Sequence, residues 1–265
     1  MMVLPMLGPA PPLRYLAGAE PLLLEGDRRG LLLLHGAGGG CTWDLKAFAA
    51  TAHQRGYTVC LPALPGFGTR PEDLVEVTFN QWIAEAQKGL DHLGQQCRSV
   101  SVVGHSMGGV LSLLLAAADR RVARLVTWAA PWRLRNPLVG LAVWLLSRPG
   151  GALLLPRRIR VPVPQHLRDQ GWVGYDRMPT RVGLPIHEGL RRLHVAIGQV
   201  RCPVLVVQGD RDEAVWARSA RTIHGRVSSS ERQLWIIEGG THPLMQDPGK
   251  EELFERTLAF LRGGR

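Results

Sequence analysis

The sequence predicts an α/β protein built on a mostly parallel β-sheet that is flanked by helices. Short apolar runs alternate with longer amphipathic segments along much of its 265 residues, which is the pattern of strands joined by crossover helices. Loops rich in glycine and proline separate several of these runs. With 45% hydrophobic residues, the chain can bury one sizeable core but is too short for two full domains.

The N-terminal half contains a regular succession of strands and helices. Four consecutive leucines at 31–34 predict a buried strand, and the apolar stretch at 110–118 predicts a buried helix. The prolines and glycines at 62–71 predict a loop. The other elements expected before residue 131 are helices at 42–54 and 80–93 and strands at 57–61, 99–103 and 122–128.

The regular pattern stops near residue 131 and resumes near residue 200. Prolines, glycines and arginines interrupt it throughout 132–199. We therefore predict one core domain formed by 1–131 and 200–265, with 132–199 inserted as a small cap. Insertions in such sheets lie over the carboxyl ends of the strands, where ligands bind.

The C-terminal part returns to the pattern of strands and helices. A β-branched run predicts a strand at 203–207, and a shorter apolar run predicts the last strand at 234–237. Asp247 and Pro248 are suited to the N-cap and the first position of a final helix, because aspartate accepts from free N–H groups and proline loses no hydrogen bond there.

The composition narrows the classes of partner and cofactor. The formal net charge is +10 and comes mainly from arginine, since lysine occurs only at three positions. The arginines are scattered rather than interleaved with aromatic residues, so we interpret the charge as a solvated surface and expect no nucleic-acid partner. A weak contact with an anionic membrane surface stays open. The four cysteines have neither CxxC spacing nor paired histidines, so we expect no metal and no cofactor.

The sequence also carries expectations about localisation. Residues 1–12 are apolar, but prolines interrupt them and no basic region precedes them, so they are a poor signal peptide. The longest apolar stretch, 137–146, is too short to span a bilayer. We therefore expect a cytoplasmic protein, whose oligomeric state the sequence leaves open.

A G-x-S-x-G motif at 104–108 supplies the candidate nucleophile, Ser106. The motif lies directly after a predicted strand and directly before a predicted helix. Only small residues at Gly104 and Gly108 allow the tight turn that projects the serine hydroxyl into the cleft. The free N–H groups at the start of the helix face a developing negative charge.

Candidate partners for this serine occur in two later loops. His242 follows the last predicted strand and is the candidate general base, since a serine hydroxyl is a weak nucleophile without one. A carboxylate must then orient the histidine. We choose Asp212, in the loop after 203–207, and keep Asp210 as the alternative, although Asp210 is also suited to capping the turn.

The glycine-rich stretch at 35–40 follows the first predicted strand. A loop in this place is expected to provide one donor for a tetrahedral oxyanion, which makes the N–H groups of Ala37 and Met107 the candidate pair. A nucleotide-binding interpretation is weak, because the stretch has neither a GK[ST] ending nor the GxGxxG pattern.

Together these motifs resemble bacterial carboxylesterases and monoacylglycerol lipases of the α/β-hydrolase fold. The resemblance spans most of the chain, from the 31–36 stretch through 104–109 and 209–215 to 240–242. It implies an α/β-hydrolase fold and a triad of Ser106, Asp212 and His242, with Asp212 favoured over Asp210. The segment 132–199 has little counterpart, and in that family this segment is the cap that shapes the acyl pocket.

The resemblance implies hydrolysis of short- to medium-chain esters or monoacylglycerols through an acyl-enzyme. An apolar run within the cap, 138–146, favours a substrate with an apolar acyl chain. One alternative keeps the triad but performs carbon–carbon bond hydrolysis, perhydrolysis or a lyase reaction. A less favoured alternative is a catalytically inactive protein that binds the surface of an anionic membrane.

Overall fold

Two stretches of the chain, 14–136 and 138–263, are described by the structure, which is a computed structural model. The expectations for residues 1–12 and for Pro137 lie outside the described residues. From the first strand to the fifth, the elements are β1 (Leu22–Leu24), β2 (Arg29–Leu34), α1 (Trp43–Gln54), β3 (Thr58–Leu61), α2 (Phe79–Gln96), β4 (Ser99–His105), α3 (Met107–Ala118) and β5 (Val122–Trp128).

The rest of the chain continues with shorter elements and then returns to the central sheet. In chain order they are α4 (Leu138–Leu146), β6 (Arg158–Arg160), α5 (Gln165–Asp169), β7 (Arg177–Pro179), α6 (Gly183–Ala196), β8 (Val204–Gly209), α7 (Arg218–Arg226), β9 (Arg232–Ile237) and α8 (Lys250–Leu261). No helix within the described ranges is both long enough and apolar enough to cross a bilayer.

Seven strands form one sheet in the spatial order β1-β3-β2-β4-β5-β8-β9. β1 is antiparallel to β3, and all the other neighbouring pairs of this sheet are parallel. The predicted fold class, a mostly parallel sheet flanked by helices, is confirmed. Because parallel strands end at the same edge, the loops after β2, β4, β8 and β9 meet there.

Helices cover both faces of this sheet, which explains the apolar strands. One face packs against α2, α3 and α6 and includes the fully buried Trp82 and Leu193. The other packs against α1 and α8, where Phe48 and Phe254 contact Trp128 of β5. Strands covered on both sides bury nearly every side chain, so they read as continuous apolar runs.

The intervening segment, residues 132–199, leaves the sheet after β5 and rejoins it before β8. Its β6 and β7 form a separate antiparallel pair. Its last helix, α6, packs against α3 of the core, whereas α4 exposes several large apolar side chains. One part of the segment is therefore continuous with the core, and the other part faces outward.

Two features of the fold differ from expectation. Asp247 does not cap the final helix, which begins at Lys250 with Gly249 as its N-cap. The carboxylate of Asp247 instead accepts hydrogen bonds from the N–H and the hydroxyl of Thr241, at 2.8 and 2.5 Å. β1 and α7 were not expected, because β1 has only three residues at the sheet edge and α7 is largely polar.

Candidate active site

Ser106 occupies a strained turn between β4 and α3. Its φ is +53° and its ψ is −119°, a region that residues other than glycine rarely adopt. The neighbouring strand holds this turn in place, because the Ser106 N–H donates to the carbonyl O of Trp128 in β5 at 2.8 Å. The side chain lies at the start of α3, at the carboxyl edge of the sheet.

Glycine is required on both sides of this serine. A methyl group on Gly104 would lie 2.2 Å from the carbonyl O of Gly108, and one on Gly108 would lie 2.0 Å from the carbonyl O of Leu34. Neither contact can be relieved by a side-chain rotation, since the obstructing atoms are backbone. The tight turn therefore depends on the absence of Cβ atoms at these two positions.

Three side chains from distant loops meet above the sheet. Nε2 of His242 lies 3.1 Å from Oγ of Ser106, and Nδ1 of His242 lies 2.7 Å from Oδ2 of Asp212. Asp212 lies in the loop after β8, and His242 lies in the loop after β9. A carboxylate can only accept at Nδ1, which leaves the Nε2 lone pair facing the serine hydroxyl.

The carboxylate of Asp212 is buried and has four hydrogen-bond donors. Oδ2 accepts from His242 and from Nε2 of Gln208, and Oδ1 accepts from the N–H groups of Ala214 and Val215, all at 2.7 to 2.8 Å. Burial alone would raise the pKa of Asp212, but its hydrogen bonds, chiefly the one from His242, outweigh burial and lower the pKa below its ordinary value. The group stays ionised at neutral pH.

Asp210 serves another contact in the same loop. Its Oδ1 accepts from the N–H of Gly239 at 2.7 Å, and its side chain is exposed. The bond therefore joins the loop after β8 to the loop after β9 instead of capping a local turn. Between the two candidate acids, the structure brings Asp212 to His242 and leaves Asp210 outside the contact.

The two candidate oxyanion donors lie beside Ser106. Met107 follows the serine at the start of α3, and Ala37 lies in the loop after β2; both residues are buried. This loop approaches the serine closely, since a methyl group on Gly36 would lie 3.2 Å from Cβ of Ser106. Among the described residues, neither the Ala37 N–H nor the Met107 N–H has an acceptor in hydrogen-bond range, so both can bind an added oxygen.

The match to a protein family spans this whole arrangement. A family model described as serine aminopeptidase, S33 (Hydrolase_4) matches residues 26–249. The chain belongs to the Hydrolase_4 family. A relative from Bacillus sp. (strain H-257), a thermostable monoacylglycerol lipase, is 30% identical over 247 residues, which cover 92% of this chain and 95% of that protein. The carboxylesterase of Bacillus subtilis (strain 168) is 24% identical and covers 91% of this chain and 96% of that protein.

Solved structures agree with this assignment. A solved structure from a study of LipS and LipT, two metagenome-derived lipolytic enzymes, matches this chain with a TM-score of 0.86 and 27% sequence identity. The match covers 94% of this chain and 100% of that chain. The fold alone is shared with a monoglyceride lipase from Saccharomyces cerevisiae, at 17% identity and a TM-score of 0.75 over 99% of this chain and 97% of that chain. The predicted α/β-hydrolase fold, the resemblance to bacterial carboxylesterases and monoacylglycerol lipases, and the assignment as a hydrolase are confirmed.

Three supporting residues of this Hydrolase_4 site were not predicted from the sequence to belong to it. Gln208 donates to Asp212, and the available signal was a polar residue placed directly after the apolar run at 203–207. Asp247 holds the loop of His242 through Thr241. Tyr175 donates its N–H to the carbonyl O of Gly39 at 2.8 Å, a contact between distant segments that no local pattern indicates.

Proposed function

We propose that this Hydrolase_4 protein is a serine carboxylic ester hydrolase. Ser106 is the nucleophile, His242 the general base, and Asp212 the acid that orients His242. The observation that carries the proposal is that one imidazole bonds to both partners, at 3.1 Å to the hydroxyl and 2.7 Å to the carboxylate. These contacts supply the base and the fixed tautomer that a serine nucleophile needs.

The first half of the reaction forms an acyl-enzyme. Oγ of Ser106 attacks the ester carbonyl carbon while its proton moves to Nε2 of His242. The carbonyl bond opens to an oxyanion, and the ionised Asp212 stabilises the imidazolium. When the tetrahedral intermediate collapses, the bond to the alcohol breaks, and the alcohol leaves with the proton from Nε2.

The second half releases the acid. Water attacks the acyl carbon and gives a proton to Nε2 of His242, and a second tetrahedral intermediate forms. Its collapse breaks the bond to Oγ and returns the proton to Ser106, so the free enzyme is restored. In both intermediates the N–H groups of Ala37 and Met107 donate to the oxyanion; loss of one such donor typically costs about 10²- to 10³-fold in rate.

The substrate we propose is a short- to medium-chain ester or a monoacylglycerol. Two observations support it: the relatives named monoacylglycerol lipase and carboxylesterase, and the apolar character of the intervening segment. We also propose that this segment, 132–199, is a cap beside the acyl pocket. The contact of Tyr175 with Gly39 supports this role, because it joins the segment to the loop that carries Ala37.

Labelling with a fluorophosphonate tests the nucleophile. The probe reacts with an activated serine and should label the wild-type protein but not Ser106→Ala. His242→Gln should label far more slowly, because the hydroxyl loses its base. Equal labelling of wild type and Ser106→Ala would exclude Ser106 as the nucleophile.

A series of p-nitrophenyl esters of increasing chain length tests the reaction class. An ester hydrolase should turn over the series with a maximum at one chain length, and Ser106→Ala should abolish turnover of every member. Poor turnover of the whole series by a protein that still reacts with the fluorophosphonate would favour the alternative, in which the same triad serves carbon–carbon bond hydrolysis, perhydrolysis or a lyase reaction. Poor turnover without labelling would favour an inactive binding protein.

A further inference from the structure

The loop that carries Asp212 is bonded to a two-residue stretch that follows β5. Leu134 forms an isolated antiparallel bridge with Val215. The Arg135 N–H donates to the carbonyl O of Ala214 at 3.2 Å, and the guanidinium of Arg135 donates from Nη1 to the carbonyl O of Asp212 at 2.8 Å. Because Arg135 and Asp212 are 77 positions apart in the chain, these contacts join the start of the intervening segment to the loop after β8.

The peptide group between Ala214 and Val215 is hydrogen-bonded at both ends. Its N–H, which belongs to Val215, donates to Oδ1 of Asp212 at 2.7 Å. Its carbonyl, which belongs to Ala214, accepts from the Arg135 N–H. The N–H and the carbonyl of a trans peptide lie on opposite sides of one rigid plane, so the bond to Arg135 fixes the direction of the N–H that binds the carboxylate. Hydrogen bonds linked in this way also strengthen one another.

The guanidinium of Arg135 holds two further points of the same loop. Its acceptor is the main-chain carbonyl of Asp212, the residue whose own carboxylate binds the loop N–H groups. A hydrogen bond from a charged donor is roughly twice as strong as one between neutral groups. The guanidinium also lies 4.2 Å from the centre of the Trp216 ring. Arg135 therefore contacts the loop at Asp212, Ala214 and Trp216.

The orientation of the Asp212 carboxylate decides the position of His242. Oδ1 accepts from the two loop N–H groups, and Oδ2 accepts from Nδ1 of His242 at 2.7 Å. Both oxygens belong to one planar group, so a rotation that weakens the bonds at Oδ1 also displaces Oδ2. The imidazole would then shift relative to the hydroxyl of Ser106, which lies 3.1 Å from its Nε2. Small displacements of this kind slow a reaction that depends on alignment.

We propose that Arg135 is a positioning residue of the hydrolytic site and fixes the Asp212 carboxylate through the backbone of its loop. The inference rests on the proposed function, because it takes Asp212 as the acid that orients His242. In the described part of the chain, the hydrogen bonds of Arg135 go to the loop after β8. Arg135 therefore acts through Asp212 and not on the substrate.

Arg135→Met tests this role in the full chain. Methionine keeps an unbranched stem beside Trp216 but has no N–H at its end. We expect kcat for a short p-nitrophenyl ester to fall about tenfold, with KM within about twofold of the wild type, because no group that binds the substrate is removed. Arg135→Lys keeps a cationic donor and should recover most of the loss. Since Arg135 is exposed, both variants should fold, and circular dichroism checks this.

Arg218→Met is the matched control. The guanidinium of Arg218 lies 5.1 Å from the centre of the same Trp216 ring, but among the described residues it donates no hydrogen bond. This substitution removes one positive charge and one contact with Trp216, as Arg135→Met does, and should leave kcat within about twofold of the wild type. An equal loss in both variants would show that charge or ring packing causes the effect, and it would overturn the proposal.

The rate of fluorophosphonate labelling separates this inference from the proposed function, because the probe reports an activated serine whatever the natural substrate is. Arg135→Met should label about tenfold more slowly than the wild type, and Arg218→Met should label at the normal rate. Slower labelling of Arg135→Met in a protein that hydrolyses no ester would refute the proposed function and leave the role of Arg135 standing. Normal labelling and normal kcat in Arg135→Met, with both abolished in Ser106→Ala, would overturn the role of Arg135 alone.

Discussion

Nε2 of His105 lies 3.1 Å from the backbone carbonyl O of His242. The residue before Ser106 thus holds the main chain of the residue whose imidazole contacts the Ser106 hydroxyl. A carbonyl oxygen only accepts, so Nε2 of His105 carries the hydrogen. Its Nδ1 is buried with no partner in the described part of the chain. Burial lowers the pKa of His105 to about 3, with the nearby His242 adding to the effect, so this donor stays neutral.

Removing this donor should slow the reaction more than it affects substrate binding. His105→Leu fills the site with an apolar side chain of similar size but leaves the His242 carbonyl without its partner, so the His242 imidazole is less well placed against Ser106. We expect kcat to fall about 10- to 100-fold with little change in KM. His105→Gln, which retains an N–H at a similar distance, should recover most of the loss. Equal kcat values for the two variants, both folded by circular dichroism, would show that the hydrogen bond does not position His242.

Substitutions of the two acids after β8 should have separate effects. Asp212→Asn removes the charge that fixes the tautomer of His242, and turnover should fall by about 10⁴-fold. Asp210→Asn perturbs only the contact with Gly239 and should cost about 1 kcal/mol of stability with nearly normal turnover. Steady-state rates on one ester and urea midpoints measure both. A large rate loss confined to Asp210→Asn would exchange the roles of the two acids.

Two buried histidines should make the fold sensitive to acid. Burial lowers the pKa of His35 to about 4 and that of His105 to about 3, so both are neutral in the folded protein. In the unfolded chain they bind protons below a pH of about 6.5. Unfolding therefore takes up protons, and stability should fall by about 1.4 kcal/mol per pH unit for each histidine as pH drops from about 6.5 to about 4.

Urea unfolding between about pH 7 and about pH 5 measures this slope. His35→Gln should reduce it by about 1.4 kcal/mol per pH unit, since Gln does not titrate. His92→Gln, a substitution in α2 near the surface, is the control.

Asp44 should change the stability of the fold with pH in the opposite direction. Burial raises the pKa of Asp44 to about 7, so its carboxyl binds a proton more readily in the folded protein than in the unfolded chain. Its contribution therefore makes the fold more stable as pH falls. Asp44→Asn should therefore steepen the measured slope, and an unchanged slope in both His35→Gln and Asp44→Asn would contradict this account.

The glycines around Ser106 should not tolerate even alanine. In Gly108→Ala the added methyl group would lie 2.0 Å from the Leu34 carbonyl O, so β2 and α3 must separate. We expect a loss of stability of about 3 kcal/mol or more, as for severe overpacking. Gly38→Ala is the matched control, because nothing lies within 4 Å of the added methyl group. Thermal unfolding of the two variants compares them, and similar melting temperatures would show that the turn at 104–108 has room to adjust.

The sequence alone determined the class of fold and the motif that holds Ser106, the proposed nucleophile. Strands covered on both faces must be apolar throughout, so runs such as 31–34 and 203–207 are visible without any knowledge of their neighbours. The turn at 104–108 is also visible locally, because its G-x-S-x-G pattern lies within five consecutive residues. The position of Asp247 before the last helix gave the wrong role for it, since a local cap and a bond to Thr241 use the same carboxylate.

Only the tertiary structure decided which groups touch. The choice of Asp212 over Asp210 depends on how two loops, about 30 residues apart in sequence, pack against each other. The bonds from His105 to His242 and from Tyr175 to Gly39 join segments separated by more than 100 residues. The positive charge of residues 132–199 is visible in the sequence, but the exposure of several leucines in this segment is not. Contacts between distant segments follow from the packing of whole elements, and no local pattern specifies them.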